Sequence, residues 1–433
     1  MEIIAEKKDF TEIFYSGCKN EQTVGLEYEK LAVYKNNFEA VKYEDIVKIL
    51  LEMENDDRTV VFENKYPMGM VLPQGHISLE PGSQFEISLN PVKNISEIEK
   101  MIEDYNGETA EIAEEFGIYW LGAGIQPVSV YENIKIIPKK RYAQMTNYLP
   151  KKARLPFVMM RETAGIQAGF DYESEEDAMS KLSTAIKLSP IVSAMFANSP
   201  VRNSRLNGSK SFRAYSWLNT DEDRCGLISE KILHNDFSFE DYRKVLFDIP
   251  MIFIEKNDKY IPTGDMTFGE YYRKGFEGYF PTKEDWNTHL SLFFPDVRLK
   301  SYLEIRNHDS QKTEMITAVP ALWKALLYNK DAQNAVEDIF KGCEFKDFEE
   351  LRYLTPEYAL DVPFKRYPLY DLAKEILSIA MQSLLMMKTG EEQFLLPLAE
   401  YVKNNKTPAD EIIEMLKGKE KITTDDLSVL VNK

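Results

Sequence analysis

The sequence predicts an α+β protein built on a mostly antiparallel sheet that is flanked by helices. Extended segments, which are rich in β-formers or alternate with a period of two, lie scattered among helical segments. They do not alternate regularly with single helices, as the strands of βαβ units would. The sequence also lacks the G-x-x-x-x-G-K-[ST] and G-x-G-x-x-G patterns of strand-to-helix phosphate turns. Together these observations favour antiparallel over parallel pairing.

Taken in order, the segments alternate irregularly between the two types. Extended structure is predicted over residues 23–34, 77–90, 117–128, 157–172, 210–218, 250–255 and 298–306. Helices are predicted over residues 94–116, 174–198, 313–341 and 368–388. A further helix is expected to begin at Thr407-Pro408, where a capping residue precedes proline at the first helical position. The apolar run 376–387 is much shorter than the roughly 20 residues of a membrane span, so it is expected to be a buried helix.

Composition indicates a globular protein rather than a disordered or fibrous one. The chain has 433 residues, of which 44% are hydrophobic and 29% charged, and no low-complexity tract divides it. We therefore expect one catalytic domain over residues 1–390, with a helical C-terminal tail over residues 391–433 that packs on the same domain. The first residues show no basic stretch followed by an apolar run, which predicts a cytoplasmic location.

Charge and cysteine content exclude several classes of function. A net charge of −18 is unfavourable for a general nucleic-acid binder, which needs clustered lysine and arginine. The three cysteines lie far apart and form no C-x-x-C pair, so neither a disulfide framework nor a zinc site is expected. If the substrates are anions, an acidic protein must collect them with bound cations and a few arginines.

Polar side chains occur in an unusual pattern on four of the predicted strands. Because successive side chains of a strand point to opposite faces, each strand has one polar face and one apolar face. The polar faces carry Glu27 and Glu29; Glu80 and Glu86; Arg161, Thr163 and Gln167; and Arg298, Lys300, Tyr302, Glu304 and Arg306. If these strands are neighbours in one sheet, five glutamates lie beside two or more arginines.

Such a surface has the chemistry of a magnesium site. Mg²⁺ prefers oxygen ligands and bridges carboxylates to substrate phosphates, so five glutamates are enough for about two or three ions. Those ions would bind a nucleoside triphosphate without a Gly-rich loop. Arg306 and Lys300 are the predicted catalytic residues, because cations in these positions neutralise the charge of a transferring phosphoryl group.

Other interpretations of the same residues stay open on this evidence. A glutamate on a strand is most often part of a solvated outer face, and an arginine such as Arg161 or Arg306 can serve a structural salt bridge. Paired carboxylates are also used by glycosidases, where they lie about 5 to 9 Å apart. Sequence spacing does not separate these alternatives.

Several longer motifs resemble the plant-type glutamate-cysteine ligases, within the glutamine-synthetase-like group of carboxylate-amine ligases. The likeness runs in order through GLEYEK at 25–30, ISLEPGSQFEIS at 77–88, YLPKKARLPFVMMRETAGIQAGFDYESEEDAMSK at 148–181, MFANSPV at 195–201, WLNTDEDRCG at 217–226, IPMIFIEKNDKYI at 249–261, MTFGEY at 266–271, FFPDVRLKSYLEIRNHD at 293–309 and FLLPLAEYVKNNKTPADEIIEML at 394–416. It covers nearly the whole chain.

The resemblance implies a curved, bowl-like antiparallel sheet with ATP and magnesium at one end. Its metal-binding positions would be Glu27, Glu29, Glu80, Glu86 and Glu304. Its nucleotide contacts would include Arg306 and Tyr302, and its amino-acid pocket would include Arg161, Thr163, Gln167, Arg213 and Trp217. Mn²⁺ is expected to substitute for Mg²⁺.

The reaction that the resemblance implies joins the γ-carboxylate of glutamate to the amine of cysteine through γ-glutamyl phosphate. A related ligase that joins glutamate to a different amine is the alternative. The partners expected are these small molecules and ATP, without nucleic acid or membrane, in a monomer or a weak homodimer.

Overall fold

The computed structural model of the chain describes residues 7–233, 236–257, 259–365 and 367–432. Within these ranges the strands are β1 (Val24–Tyr34), β2 (Thr59–Glu63), β3 (Tyr66–Leu72), β4 (Gly75–Leu79), β5 (Phe85–Val92), β6 (Ile118–Leu121), β7 (Gly165–Phe170), β8 (Val201–Arg202), β9 (Arg205–Leu206), β10 (Cys225–Gly226), β11 (Phe253–Lys256), β12 (Lys259–Pro262), β13 (Phe294–Pro295), β14 (Val297–Leu299), β15 (Leu303–Asp309), β16 (Pro363–Phe364) and β17 (Tyr367–Pro368).

Helices surround these strands throughout the described residues. The α-helices are α1 (Glu12–Tyr15), α2 (Tyr43–Glu52), α3 (Ile95–Glu115), α4 (Lys140–Tyr148), α5 (Pro156–Glu162), α6 (Glu175–Met195), α7 (Phe212–Leu218), α8 (Phe239–Asp248), α9 (Phe268–Lys274), α10 (Lys283–Ser291), α11 (Thr313–Ile316), α12 (Ala318–Leu327), α13 (Lys330–Ile339), α14 (Phe345–Tyr358), α15 (Leu369–Met387), α16 (Leu396–Lys403), α17 (Pro408–Leu416) and α18 (Thr424–Leu427). Short 3-10 helices span Lys7–Phe10, Leu149–Lys151, Glu230–Leu233, Glu391–Leu395 and Ser428–Leu430.

The main sheet has nine strands, and every pairing within it is antiparallel. Its order is β14-β15-β7-β1-β5-β4-β3-β2, and β6 pairs with the far end of β1. β1 is therefore central, with β7 and β5 as its neighbours. The predicted α+β class and the mostly antiparallel sheet flanked by helices are confirmed.

The two faces of β1 differ as its sequence alternation predicts. Leu26 and Tyr28 are at most 1% exposed and belong to the main hydrophobic core, which forms between the sheet and helices including α3, α6 and α12. Glu27 and Glu29 point to the other face and are half-buried. Burial of one face against helices leaves the opposite face of the sheet available for a polar site.

The predicted helical segments are confirmed by α3, by α6, by the group α11 to α13 and by α15. One predicted strand is wrong in part and another is wrong entirely. The segment 157–172 begins as helix α5, which has Pro156 in its first turn, and becomes strand β7 only at Gly165. The segment 210–218 is helix α7, whose first turn is capped by the Ser211 hydroxyl accepting from the Ala214 amide at 3.1 Å. Both helices have seven residues, too few for helical periodicity to be visible in the sequence.

The C-terminal segment packs on the same body as the sheet. Helix α17 begins with a capping box between Thr407 and Asp410, as its sequence predicts. Ile412 and Leu416 join a small apolar cluster with Leu31 of β1, and the Asn432 amide donates to the Tyr28 hydroxyl at 2.9 Å. The division of the chain at residue 390 stays a prediction. Among the described helices, none combines the length and apolarity that crossing a bilayer requires.

Candidate active site

Four of the predicted glutamates lie in one cleft on the polar face of the sheet. The cleft, called here the carboxylate cleft, has a volume of about 1040 Å³ that is partly open to solvent, and Glu27, Glu29, Glu80 and Glu86 are among its lining residues. Strand register explains the convergence, because Glu29 of β1 is directly opposite Glu86 of β5. Glu80 follows strand β4, which is hydrogen-bonded to β5.

Burial and like charge act together on these carboxyl groups. Burial raises the pKa of Glu86 well above its usual value, and the neighbouring Glu80, Glu27 and Glu29 raise it further. Burial also raises the pKa of Glu29 to about 7, although Arg213 acts in the opposite direction. Simultaneous ionisation of all the carboxyl groups in the cleft is therefore unfavourable unless a cation binds among them.

The surroundings of Glu86 suit a hard divalent cation. Its carboxylate accepts hydrogen bonds from the Ser78 hydroxyl at 2.9 Å and the Ser88 hydroxyl at 3.4 Å, both of which are neutral donors. An acidic all-oxygen donor set under mutual repulsion has the ligand chemistry that Mg²⁺ prefers. Within the part of the chain that the structure describes, however, no three acidic, histidine or cysteine side chains form a ready-made metal site.

Glu304 lies beside this cleft in a very different environment. It is 1% exposed, and its carboxylate binds Arg298 at 2.7 Å, Lys300 at 2.9 Å and Arg306 at 2.8 Å. These three cations keep the pKa of Glu304 well below its usual value despite its burial. The arrangement arises because residues 298–306 form a hairpin, β14 and β15, rather than the single strand predicted, so Arg298 is opposite Glu304.

The predicted catalytic and nucleotide-binding residues surround Glu304. The Lys300 ammonium lies 4.7 Å from the centre of the Tyr302 ring, and the Tyr302 hydroxyl is 3.4 Å from the Glu304 carboxylate. The Arg306 guanidinium donates to the side-chain oxygen of Gln167 as well as to Glu304. Arg306 lines the carboxylate cleft, where it faces the four glutamates.

A second compartment, called here the tyrosine slot, adjoins the cleft. It shares Glu27 and Gln167 with the cleft and is also lined by Tyr302, Glu304, Gly169, Leu89 and Asn90. A Cβ atom at Gly169 would lie 3.1 Å from the Tyr302 ring, a tight contact, so glycine lets the ring lie close against strand β7. The slot combines an aromatic wall with polar groups at its edge.

A third compartment, called here the arginine cavity, also adjoins the cleft. Arg213, Trp217, Phe294 and Arg306 line both spaces. Arg213 of helix α7 is 5% exposed and donates to the backbone oxygen of Arg306 at 3.0 Å. A Cβ atom at position 165 would collide with the Arg213 guanidinium, which explains the glycine at the start of β7.

The amino-acid pocket predicted from the sequence is therefore only partly assembled as expected. Thr163, Gln167, Arg213 and Trp217 line the carboxylate cleft. Arg161 lies on helix α5 rather than on a strand and is absent from the lining of all three compartments, whereas Met159 and Met160 of the same helix line the cleft. Its guanidinium packs on Phe157 and donates to the backbone oxygens of Tyr131 at 3.0 Å and Ile134 at 3.3 Å.

Sequence reasoning missed several residues of the cleft wall. Arg298 lies on the polar face of the predicted strand 298–306, but no functional role is predicted for it from the sequence. Arg141 and Tyr142 belong to helix α4, which carries no distinctive motif. The Tyr142 hydroxyl donates to the Glu80 carboxylate at 3.0 Å. The polar face of the 298–306 segment was the available signal for Arg298; the sequence offered none for α4.

Comparison with known proteins identifies the family to which the chain belongs. A profile of glutamate-cysteine ligase family 2 (GCS2) matches residues 23–432. The chloroplastic glutamate–cysteine ligases of Brassica juncea and Arabidopsis thaliana are each 34% identical to the chain over 418 residues, which is 95% of this chain and 81% and 80% of those proteins. Their chloroplastic location contradicts the cytoplasmic location predicted above, which is withdrawn.

Solved structures support the same fold at lower identity. A glutamate–cysteine ligase from Francisella tularensis in complex with AMP aligns with a TM-score of 0.55 and 13% identity over 95% of this chain and 88% of that one. A bifunctional glutathione synthetase from Pasteurella multocida aligns with a TM-score of 0.52 over 97% of this chain and 53% of that one. On the family match and the plant relatives, the chain belongs to glutamate-cysteine ligase family 2.

Proposed function

We propose that this protein is an ATP-dependent ligase that joins the γ-carboxylate of glutamate to the amine of cysteine and releases ADP and phosphate. The observation that carries the proposal is the carboxylate cleft, in which four glutamates from neighbouring strands face Arg306 and Arg213. Family membership and the plant glutamate–cysteine ligases support the same reaction.

The reaction is proposed to proceed in two steps. An oxygen of the γ-carboxylate attacks the γ-phosphorus of ATP, which forms γ-glutamyl phosphate and breaks the bond to ADP. The cysteine amine then attacks the activated carbonyl carbon, loses a proton, and expels inorganic phosphate. Both steps bring anions together, so the main task of the protein is to position them and offset their charge.

Magnesium is proposed to be held by the glutamates of the carboxylate cleft, with Mn²⁺ as a substitute. Glu27, Glu29, Glu80 and Glu86 supply the oxygen ligands, and bound Mg²⁺ would neutralise the phosphates of ATP. The metal-binding role of Glu304 stays a prediction. Unlike the other four glutamates, Glu304 is already paired with three cationic side chains. About two ions suffice for four carboxylates.

The nucleotide is proposed to enter from the tyrosine slot. Tyr302 supplies an aromatic wall for a base, and the slot opens toward Glu27, at the edge of the proposed metal site. Arg306 and Lys300 are then placed near the phosphates, where their shared partner Glu304 orients both side chains. This orientation is what a preorganised charge clamp requires.

The amino acids are proposed to meet at the opposite end of the cleft. Arg213 and Trp217 lie there, and the Arg213 guanidinium donates to the backbone oxygen of Arg306, whose own guanidinium binds Gln167 on the side of the tyrosine slot. Arg161 is left out of this pocket, since its guanidinium binds backbone oxygens of the loop around residues 131–134. A monomer or a weak homodimer stays the prediction for the assembly.

Release of ADP tests the proposal directly. Purified protein with ATP, Mg²⁺ and glutamate is expected to release ADP rapidly only when cysteine is added, with γ-glutamylcysteine identified by mass spectrometry. Faster release with another amine would favour the alternative ligase. Release that is independent of glutamate would contradict the proposal.

A further inference from the structure

A tight turn between β4 and β5 links two of the four glutamates of the carboxylate cleft. It runs from Glu80, directly after β4, to Gln84, directly before β5, and Glu86 is the second residue of β5. The Ser83 amide donates to the backbone oxygen of Glu80 at 2.8 Å, and the Glu80 amide donates to the backbone oxygen of Gln84 at 3.0 Å. The conformation of this turn therefore sets the positions of Glu80 and Glu86 relative to each other.

The turn lies directly against the C-terminal end of helix α5. A Cβ atom at Gly82 would lie 2.2 Å from the backbone oxygen of Arg161, so only glycine permits this approach. Ser83 has a φ of 69°, in the left-handed region that residues other than glycine seldom occupy. Such a conformation persists only where surrounding contacts hold it, so the turn depends on its contacts with the rest of the protein.

The buried side chain of Gln84 supplies these contacts. Gln84 is 3% exposed, and its carboxamide oxygen accepts from the Gly82 amide at 2.7 Å. Its carboxamide nitrogen donates to the backbone oxygens of Met160 at 3.1 Å and Thr163 at 2.8 Å. Because backbone oxygens can only accept, these bonds fix the orientation of the carboxamide. Both N–H groups are used, so Gln84 has no donor left for a ligand although it borders the cleft.

The two carboxylates that the turn links are adjacent. The Ser78 hydroxyl lies 2.9 Å from the Glu86 carboxylate and 3.4 Å from the Glu80 carboxylate. Two carboxylates that contact the same hydroxyl are placed to bind one cation together. Mg²⁺ requires near-ideal octahedral geometry with ligands at about 2.0–2.1 Å, whereas Ca²⁺ accepts varied geometry at about 2.3–2.6 Å. A fixed separation of the two carboxylates therefore matters more for Mg²⁺ than for Ca²⁺.

We propose that Gln84 is a positioning residue that holds the turn against helix α5, fixes the separation of the Glu80 and Glu86 carboxylates, and thereby makes the cleft prefer Mg²⁺ over Ca²⁺. This inference rests on the proposed function, in which the two glutamates bind a metal ion. Gln84 acts through the backbone of the turn and does not contact the ion. Selectivity between the two ions depends on the size and flexibility of the site, and Gln84 limits that flexibility.

The test removes the three hydrogen bonds of Gln84 and measures ion binding without turnover. Gln84→Met keeps a side chain of similar size but has no amide group. Mn²⁺ binding is followed by the electron paramagnetic resonance signal of the free ion, and competition with Mg²⁺ and with Ca²⁺ gives a Kd for each. The Kd for Mg²⁺ should rise at least about tenfold, as for other residues that orient metal ligands. The Kd for Ca²⁺ should change less than about threefold, because Ca²⁺ tolerates a displaced ligand.

Gln333→Met is the matched control for the loss of a buried carboxamide. Gln333 is also 3% exposed, and its carboxamide nitrogen donates to the backbone oxygen of Leu327 at 2.7 Å. It lies on helix α13 and lines none of the three compartments. The control should lower the melting temperature and leave both Kd values unchanged. A folded Gln84→Met variant that keeps the wild-type preference for Mg²⁺ over Ca²⁺ would overturn the inference.

A second variant displaces the same turn while Gln84 stays in place. Gly82→Ala puts a methyl group against the Arg161 backbone oxygen, so the turn must move away from helix α5. The preference for Mg²⁺ should fall in this variant as well. If Gln84→Met does not fold, as judged by thermal unfolding, an unchanged preference in folded Gly82→Ala would overturn the inference.

The wild-type protein distinguishes this inference from the proposed function. If it binds none of the three ions and shows no glutamate-dependent ADP release, the proposed function itself fails. If it releases ADP as proposed but binds Mg²⁺ and Ca²⁺ equally well, only the role of Gln84 in ion selection is refuted.

Discussion

Two groups of glutamates lie side by side on one face of the sheet, and the side chains that surround them carry opposite charge. In the carboxylate cleft, Glu86 is surrounded by other carboxyl groups and its pKa is raised. At the β14–β15 hairpin, Glu304 is surrounded by three cationic side chains and its pKa is lowered. The charge of the first group is relieved by protonation or by a cation from solution, whereas that of the second is offset by cationic side chains of the protein itself. Residue type alone therefore does not identify a metal ligand.

The largest effect that tests this comparison is expected from Glu304→Gln. The change leaves Arg298, Lys300 and Arg306 without their shared counter-charge in a buried position. Breaking a buried pair in this way costs about 3–5 kcal/mol. Urea denaturation at neutral pH should show a loss of that size in the free energy of unfolding.

The matched control is Glu114→Gln, which removes the partner of Lys35 at a site where the glutamate side chain is 72% exposed. Its effect should stay below about 1 kcal/mol, as for surface ion pairs in general. Equal effects of the two substitutions would show that Glu304 is not the centre of a buried ion-pair network.

Glu86→Gln should have the opposite effect on stability while strongly reducing activity. Because burial and neighbouring carboxyl groups raise the pKa of Glu86, its ionisation opposes folding, and this penalty grows as the pH rises above the ordinary glutamate value. The variant should therefore melt at a higher temperature than the wild type at pH 8. Magnesium-dependent ADP release should fall by at least about a hundredfold, as expected when a metal ligand is lost.

Glu115→Gln, on the exposed surface of helix α3, serves as the control for both measurements. It should change neither the melting temperature nor the turnover. A Glu86→Gln variant with wild-type turnover would remove Glu86 from the proposed metal site.

Magnesium itself should stabilise the cleft by relieving its repulsion. A ligand that binds only the folded state adds about 2.7 kcal/mol at one hundred times its dissociation constant. The melting temperature of the wild type should therefore rise with Mg²⁺ or Mn²⁺ and return to its starting value with a chelator. In Glu86→Gln the rise should be much smaller; an undiminished rise would place the ion elsewhere.

The smallest predicted effect concerns the pH dependence of stability that results from the buried side chain of His289. His289 is 3% exposed, contacts the Leu246 backbone oxygen at 2.9 Å, and burial lowers its pKa to about 3. Since the folded pKa lies below the unfolded value of about 6.5, the stability that His289 contributes is present above pH 6.5 and is lost as the pH falls. Between pH 7 and pH 5 this loss amounts to about 2 kcal/mol.

His289→Phe should reduce the acid sensitivity of the protein by this amount. The ring lies against Phe268 and Trp286, so an aromatic replacement keeps most of the packing. The measurement is the free energy of unfolding at pH 7 and pH 5 in both proteins. An identical pH dependence in His289→Phe and wild type would refute the neutral buried state.

The sequence by itself determined much of this protein, wherever the controlling interaction is local. Alternation with a period of two places Glu27 and Glu29 on one face of β1 because it depends only on the backbone of that strand. The long helices α3, α6 and α15 and the cap at Thr407 follow from patterns within single segments. Collinear motifs over most of the chain also identified the family, which the comparisons confirm.

Tertiary structure alone decided which of these side chains meet and what charge surrounds each one. The short helices α5 and α7 give no periodic signal, so the displacement of Arg161 from the cleft could not be predicted. The turn between β14 and β15 places Arg298 opposite Glu304, and no spacing in the sequence reveals that register. Charge balance is a sum over neighbours from distant segments, and those neighbours are defined only once the strands have paired.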